Sequence, residues 1–221
     1  EKFFEAGSLN EVELAKGLTI ALANQEIYPL FIASAERNMG TGRIMGFLND
    51  IAPSPYDRPA ANLENGEKLT CDSNGPATAF IFKTMSEPRI GMVTYFKVFS
   101  GKISAGDELV NSTNRTTERF GQLFIANGKN REAVEELKAG DIGVTVKLKN
   151  SHTNQTLTPK GQEFQIEKIH FPPPRIRTAV NPPSKNEMEK LMKALHQIQE
   201  EDPTLIIEQS KALKQTLLHG Q

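Results

Sequence analysis

The sequence predicts a multidomain chain with an incomplete α/β segment, a β-barrel and a partial α+β unit of the split β-α-β type. Apolar stripes of helical period occupy the first part, and short β-prone runs between turn residues occupy the middle. A triple proline then precedes a strand, a helix and two more strands. The predicted bounds are 1–58 for the α/β segment, 59–76 for a linker, 77–171 for the barrel and 172–221 for the α+β unit.

The α/β segment is predicted to hold a helix, a buried strand and a second helix. Ser8-Leu-Asn-Glu11 fits a capping box, in which the serine hydroxyl accepts from the third helical amide, so a helix is expected at about 9–24. The apolar run 28–33 is typical of a strand buried on both faces of a parallel sheet. Apolar residues on one face predict a second helix over 41–52. We interpret the segment as the last repeat of an α/β domain.

The linker and the barrel are predicted from turn residues. The stretch that ends at residue 76 is dense in Pro, Gly, Asn and Asp, which favours a connection between domains. Ser100-Gly101 and Gly106-Asp107 then place two tight turns between β-forming runs, as in a barrel hairpin. The predicted barrel strands are 78–85, 92–99, 108–110, 117–124, 142–146 and 163–171.

The α+β unit follows Pro172-Pro-Pro174, which ends the barrel because proline cannot donate to a strand ladder. A strand is expected over 176–180, and Ser184-Lys-Asn-Glu187 fits a second capping box. The helix after it carries an apolar stripe that should face a sheet, formed by Met188, Leu191, Met192, Leu195 and Ile198. Asp202 and Pro203 are expected to stop this helix, and strands over 204–207 and 215–218 complete a β-α-β-β order.

Composition excludes several classes of protein. The single cysteine, Cys71, leaves no internal disulfide or zinc-cysteine cluster, and the four histidines have no metal-ligand spacing, so no metal site is assigned. No apolar run approaches the ~20 residues needed to span a bilayer, and the acidic start is unlike a secretory signal. We therefore expect a cytoplasmic protein without a membrane partner. Residues 77–170 carry 13 Lys and Arg against 10 Asp and Glu, a small basic excess on the barrel.

Motifs in all three parts of the chain carry a family resemblance. In the first part they are Ser34-Ala35, then Asn38 and Gly40, and the ending Pro53-Ser-Pro55. The third part has Glu200-Glu-Asp-Pro-Thr204 after its helix. The barrel contributes the stretches 82–91, 99–107, 130–137 and 138–142. With these motifs in this order, the chain resembles elongation factor G or a close paralogue among the translational GTPases, from the end of the GTPase domain through the second domain into a partial, ferredoxin-like third domain.

The resemblance implies a ribosome-dependent GTPase that promotes translocation of tRNA and mRNA during protein synthesis. Its parent would bind GTP or GDP with Mg²⁺, and Ser34 and Ala35 would recognise guanine in the full domain. Its implied partners are small-subunit ribosomal RNA and ribosomal proteins, and a monomer is expected. Exposed cations on barrel loops suit the phosphates and 2′-hydroxyls of A-form RNA; the candidates are Arg89, Lys97, Arg115, Arg119, Lys129 and Arg131.

Some features of the sequence limit that function. GTP hydrolysis needs a glycine-rich phosphate loop with its Lys and Ser or Thr, which the 221 residues lack, so no catalytic residue and no cofactor are assigned to the chain alone. Glu36 and Asn154-Gln155 depart from the residues usual in the family. The alternative is therefore a ribosome-binding paralogue, a ribosomal protection or specialised factor, with altered or lost GTPase activity.

Overall fold

The computed structural model describes residues 2–128, 130–182, 184, 187–210 and 215–221. The chain divides into two compact units, Glu1–Pro59 and Ala60–Gln221. The first unit contains helices α1 (Lys2–Ala6), α2 (Glu11–Ala23) and α3 (Thr41–Asp50), followed by a 3-10 turn over Pro55–Asp57.

Helix α2 begins later than the sequence predicts, and the capping box at Ser8 is wrong. Asn10 is the capping residue: its Oδ1 accepts from the amide of Glu13 at 2.9 Å, and its own amide donates to Glu13 Oε2 at 3.2 Å. Both Ser8 and Asn10 have a glutamate three residues later, and Asn caps helices at least as well as Ser. The register of the helix therefore decides which pair is used.

The strand predicted over 28–33 is also wrong. These residues form no ladder, and Leu30 and Ile32 are 91% and 93% exposed. The backbone pairs only beyond the run, where Ser34 and Met39 form a single bridge. Ladder hydrogen bonds stabilise a strand only when a second strand lies beside it, and no strand occurs in the described residues 2–59.

The second unit is built mostly from strands. Two short strands precede the barrel and form a small ribbon, β1 (Ala61–Asn62) and β2 (Lys68–Leu69). The barrel strands are β3 (Thr78–Glu87), β4 (Gly91–Ser100), β5 (Lys102–Ser104), β6 (Glu108–Asn111), β7 (Thr117–Arg119), β8 (Leu123–Asn127), β9 (Asn130–Val134), β10 (Glu136–Lys138), β11 (Ile142–Val146) and β12 (Gln155–Thr158). Eight of them form one antiparallel sheet in the order β7-β6-β12-β3-β4-β11-β8-β9, and β5 pairs with β10.

The large sheet curls around one apolar core. Side chains from both halves of the sheet meet in it; Phe96 of β4, for example, contacts Phe120 edge to face with ring centroids 5.1 Å apart. Packing leaves no room at Gly143 of β11, where a Cβ would lie 2.2 Å from Leu137 Cδ1. The core cluster consists of Ala79, Ile81, Phe96, Val98, Ile103, Leu109, Phe120, Leu123, Leu137, Leu148 and Leu157. Curling follows because one face of every strand must reach this core.

Two turns of the barrel share one local chemistry. In Ser104-Ala-Gly-Asp107 the Asp side chain accepts from the first amide at 2.7 Å, and in Lys138-Ala-Gly-Asp141 the distance is 2.8 Å. Gly106 has a φ of 101°, which other residues adopt only with strain. The tight turn predicted at Gly106-Asp107 is confirmed, although β5 pairs with β10 and not with a sequence neighbour.

Several predicted strands differ from the observed ones. The strand predicted over 117–124 is interrupted at Phe120, whose amide donates to Asp107 O and whose carbonyl accepts from Gly106 N. The predicted strand is therefore two strands, β7 and β8. The strand predicted over 163–171 is wrong: only Ile166 pairs there, in one bridge to Leu63. Strands β5, β9, β10 and β12 were not predicted.

Residues 59–76, predicted as a linker, pack on the barrel from Ala60 onward. Leu63 is buried with Phe80 and Ile166 in a second apolar cluster on the outer face of the sheet. Phe82, Phe99 and Phe164 pack against that cluster. The β1–β2 ribbon therefore belongs to the same compact unit as the barrel.

The α+β part consists of β13 (Ile176–Val180), α4 (Met188–Glu201), β14 (Ile206–Ser210) and β15 (Gln215–Gly220), with strand order β13-β15-β14. The predicted β-α-β-β order is confirmed. The second capping box is not formed as predicted, because Glu187 is the residue before α4 and Ser184 Oγ contacts its carboxylate at 3.4 Å. Pro183, Lys185 and Asn186 lie outside the described residues. As predicted, Asp202 ends the helix, and its carboxylate accepts from the Thr204 amide at 2.9 Å.

Candidate nucleic-acid interface

The tip of the β3–β4 hairpin carries one of the exposed candidate cations. Strand β3 ends at Glu87 and β4 begins at Gly91, and Ile90 N donates to Glu87 O at 3.2 Å across the turn. Arg89 lies at the centre of this turn with a φ of 71° and is exposed. Because the tip projects its side chain into solvent, Arg89 is available to a phosphate.

Arg131 is placed differently from Arg89. It lies on β9, and its Nη2 contacts Glu87 Oε1 in an ion pair; the Arg131 and Glu87 side chains are 17% and 29% exposed. Burial lowers the pKa of Arg131, but hydrogen bonds to Glu87 and Tyr95 outweigh it and raise the pKa above the ordinary value. The guanidinium is therefore already engaged within the barrel. Lys129 lies outside the described residues.

Lys97 is half-buried on the outer face of β4. Its Nζ lies over the ring of Phe99, 5.1 Å from the centroid, in a cation–π contact. The neighbouring outward side chain on β4, Tyr95, packs against Phe82 with centroids 6.4 Å apart. The aliphatic stem of Lys97 thus covers aromatic surface.

Arg115 and Arg119 belong to the β6–β7 hairpin. Arg115 is in its turn with a φ of 60°, and its Nη2 lies 3.6 Å from Glu163 Oε2 in an exposed ion pair. Arg119 is exposed at the end of β7. A groove of about 660 Å³ runs beside Arg115 and is also lined by Lys160, which sequence reasoning missed. The sequence feature that could have pointed to Lys160 is the turn sequence Pro159-Lys160-Gly161 after the barrel strands.

The structure therefore separates the candidates into groups. Arg131 contacts Glu87 at the base of the turn that holds Arg89, whereas Arg115 shares a different hairpin with Arg119. Lys97 lies on a strand face apart from either turn.

The predicted guanine loop is a short turn. Ser34 and Met39 exchange backbone hydrogen bonds of 2.9 and 3.0 Å, and Asn38 N donates to Ala35 O at 3.1 Å. Ala35 is exposed, and its amide has no acceptor among the described residues. Gly40 passes so close to the preceding run that a Cβ would lie 2.9 Å from Ile32 O.

The C-terminal end of α4 contacts the barrel. Thr84 Oγ1 donates to the Glu200 carbonyl at 3.0 Å and approaches its carboxylate at 3.3 Å. Ser86 N donates to Glu201 Oε1 at 2.9 Å, and His152 Nδ1 lies 2.5 Å from Glu200 Oε1. The last turn of α4 holds these two carboxylates and no basic residue.

Metal-binding clusters and membrane-spanning helices are both absent from the described residues. No group of three or more His, Cys, Asp and Glu side chains in the described ranges is arranged to hold a metal ion. Among the helices of that same part of the chain, none has the length and apolar character required to cross a membrane.

Comparison with known proteins gives consistent matches. Residues 76–160 match the family model "Elongation factor G domain 2", and residues 171–221 match "Elongation Factor G, domain III". The chain is 36% identical to elongation factor G of Thermotoga neapolitana over 225 aligned positions, which cover all of the chain and 32% of that protein. A crystal structure of a protein from Thermus thermophilus superposes with a TM-score of 0.79 at 27% identity, covering 100% of this chain and 31% of that one. The chain thus spans about a third of the length of these relatives. Two successive domain matches and the identity along the whole chain establish that it belongs to the elongation factor G family.

Proposed function

We propose that the chain is the central part of a ribosome-dependent translational GTPase that promotes the movement of tRNA and mRNA during protein synthesis. The observation that carries the proposal is the pair of consecutive matches to domains 2 and III of elongation factor G, in the order of that family. In this proposal the full protein is a cytoplasmic monomer that acts on the ribosome.

Residues 1–58 are then the end of a GTP-binding domain. A guanine carbonyl oxygen is recognised by backbone amides, and the Ala35 amide suits that role because it is exposed and has no acceptor in the described part of the chain. Ser34 closes the turn through its backbone hydrogen bonds with Met39. The backbone of Gly40 lies close to that of Ile32, which keeps the loop tight. Phosphate and Mg²⁺ binding belong to parts of such a domain that these 221 residues do not contain. We expect the chain alone to hydrolyse no GTP.

Residues 77–171 are the second domain and residues 172–221 the start of a ferredoxin-like third domain, with 59–76 between the first two. The strand order β13-β15-β14 is the one that a split β-α-β fold has before its last strand is added. In the described residues β13 pairs with β15 alone, so its other edge is available for that strand.

The barrel is proposed to dock on small-subunit ribosomal RNA. Arg89 and Arg119 have exposed side chains on hairpins, the arrangement suited to phosphates. Arg115 can exchange its exposed ion pair with Glu163 for a phosphate at small cost, since such pairs contribute little in water. Lys97 and Lys129 stay candidates, whereas the engagement of Arg131 argues for a different role.

The alternative is a ribosome-binding paralogue without GTPase activity. Glu36 favours it, because this exposed carboxylate adjoins the proposed guanine loop. The test is GTP hydrolysis by the full-length protein with and without ribosomes, together with toeprinting of mRNA movement. Ribosome-stimulated hydrolysis and a forward shift of the toeprint support the translocase. Ribosome binding without hydrolysis supports the paralogue, and no binding to ribosomes refutes both.

A further inference from the structure

One ion pair joins two barrel hairpins that are distant in the sheet. Arg131 is on β9 and Glu87 is on β3, and the strand order between them is β9-β8-β11-β4-β3. Four steps of ~4.8 Å would separate these strands by about 19 Å in a flat sheet. The side chains meet only because the sheet curls, so the pair ties one end of the curled sheet to its middle.

The pair is more than a surface contact. Both side chains are mostly buried, and Arg131 is also hydrogen bonded to Tyr95 on β4. Planar guanidinium groups bond carboxylates in a fixed geometry, which a lysine at this position would not reproduce. The β8–β9 hairpin is therefore held against the β3–β4 hairpin at a defined distance.

The contact lies directly beneath both turns. Glu87 is the last residue of β3, and its carbonyl closes the turn that holds Arg89. Arg131 pairs with Ala126 one step from the β8–β9 turn, where Gly128 has a φ of 60°. Fixing Glu87 and Arg131 relative to one another thus fixes the β3–β4 turn against the paired strands β8 and β9.

We infer that Arg131 and Glu87 are positioning residues, which hold strand β9 against the end of β3 and so fix the turn from which Arg89 contacts an RNA phosphate. This inference rests on the proposed docking to ribosomal RNA and gives that docking a defined architecture. Arg131 itself contacts no phosphate, although its charge and its place in the chain suggest that it does.

The variant Glu87→Ala distinguishes a positioning role from a purely electrostatic one, because the two roles change ribosome affinity in opposite directions. If Glu87 were only an anion near RNA, its removal would relieve repulsion and strengthen ribosome binding. As a positioning residue, its removal weakens binding roughly threefold to tenfold, the size expected for residues coupled by direct contact. Arg131→Ala weakens binding by a similar factor, and the double variant is no weaker than either single variant.

Salt dependence supplies a second readout. Arg89→Ala lowers the slope of log affinity against log salt by about one unit, because one phosphate contact is lost. In the Arg89→Ala background, adding Arg131→Ala lowers neither the slope nor the affinity further, because Arg131 acts through Arg89 and not through a phosphate of its own. Full-length protein and purified ribosomes are titrated across a salt series. The control is Glu136→Ala, which removes an exposed carboxylate whose contacts to Lys102 and Lys138 are 3.8 Å long, and which should alter neither quantity.

Amide hydrogen exchange of the free protein tests the pairing without the ribosome. Exchange in the β8–β9 hairpin should accelerate in Glu87→Ala and in Arg131→Ala, and stay unchanged in Glu136→Ala. Tighter ribosome binding by Glu87→Ala, or a further one-unit slope loss when Arg131→Ala is added to Arg89→Ala, would overturn the inference. Unchanged exchange in both variants would refute the pairing alone, whereas wild-type protein that fails to bind ribosomes at low salt would refute the proposed function.

Discussion

The buried carboxylate of Glu118 is expected to be a major determinant of barrel stability. Glu118 is 3% exposed at the centre of β7. It accepts from Lys149 N at 3.0 Å, from Asn150 N at 2.6 Å and from Ser151 Oγ at 3.0 Å. It therefore holds the loop that leads to His152, the residue that contacts α4.

The informative perturbation is Glu118→Gln, which keeps the shape of the side chain. An amide has one accepting oxygen, so Asn150 and Ser151 keep an acceptor while the amide nitrogen faces the N–H of Lys149. One buried donor left unsatisfied costs about 1–3 kcal/mol, and the two retained bonds lose their charge assistance. We expect a loss of about 2–4 kcal/mol in the free energy of unfolding.

Urea unfolding followed by NMR intensities of β3 and β4 amides measures the barrel separately from the rest of the chain. Glu136→Gln is the matched control. Because Glu136 forms only exposed ion pairs, its substitution should lower the free energy of unfolding by less than about 1 kcal/mol. Equal losses in the two variants would show that the Glu118 carboxylate does not hold the loop.

Other substitutions give independent checks. Gly143→Ala inserts a methyl group between core side chains and should destabilise the barrel by about 1–3 kcal/mol, whereas Gly121→Ala, with open space around it, should change stability by less than about 0.5 kcal/mol; equal effects in urea unfolding would contradict the packing. Thr84→Val removes the hydroxyl that donates to α4 and should accelerate amide exchange in that helix. Thr145→Val, which loses a bond to the Gln122 carbonyl instead, should leave α4 exchange unchanged, and equal acceleration by both would refute the contact. Burial raises the pKa of the Cys71 thiol above its ordinary value, so iodoacetamide should react more slowly with folded than with urea-unfolded chain near neutral pH. Because burial disfavours the thiolate, the folded state binds this proton more tightly than the unfolded state; this contribution to stability is fully present below the pKa of the unfolded thiol and is lost as pH rises through the folded value. Equal alkylation rates of the folded and unfolded chain would contradict the raised pKa.

The sequence predicted elements best where local chemistry is decisive. Strands β11 and β13 were predicted with their observed bounds, because β-branched runs there end at strong turn signals. Strand β12 was missed because Gln155-Thr-Leu-Thr158 looks polar, although Thr156 and Thr158 are buried and the β-branched threonines were a usable sign. Asn154, which with Gln155 departs from the family pattern, has a φ of 71°, a conformation that Asn tolerates well.

Long-range contacts could not be predicted in the same way. Nothing near Arg131 in the sequence identifies Glu87 as its partner, because the two meet only once the sheet has curled. The strand predicted over 28–33 was wrong because the composition of an apolar run does not show whether a second strand lies beside it. Charge alone consequently identified the candidate cations, but it did not show which of them already make contacts within the protein.

The acidic end of α4 depends on the barrel for its hydrogen-bond donors. Carboxylates in the last turn oppose the helix dipole at a cost of ~0.3–1 kcal/mol each, and the barrel donors at Thr84 and Ser86 compensate by amounts of the same order. That dipole cost is present whether or not the helix is docked, so the donors favour the docked arrangement, by about 0.5–1.5 kcal/mol for each hydrogen bond. A binding partner therefore repopulates a released arrangement only if it prefers that arrangement by more than the summed contribution of these bonds.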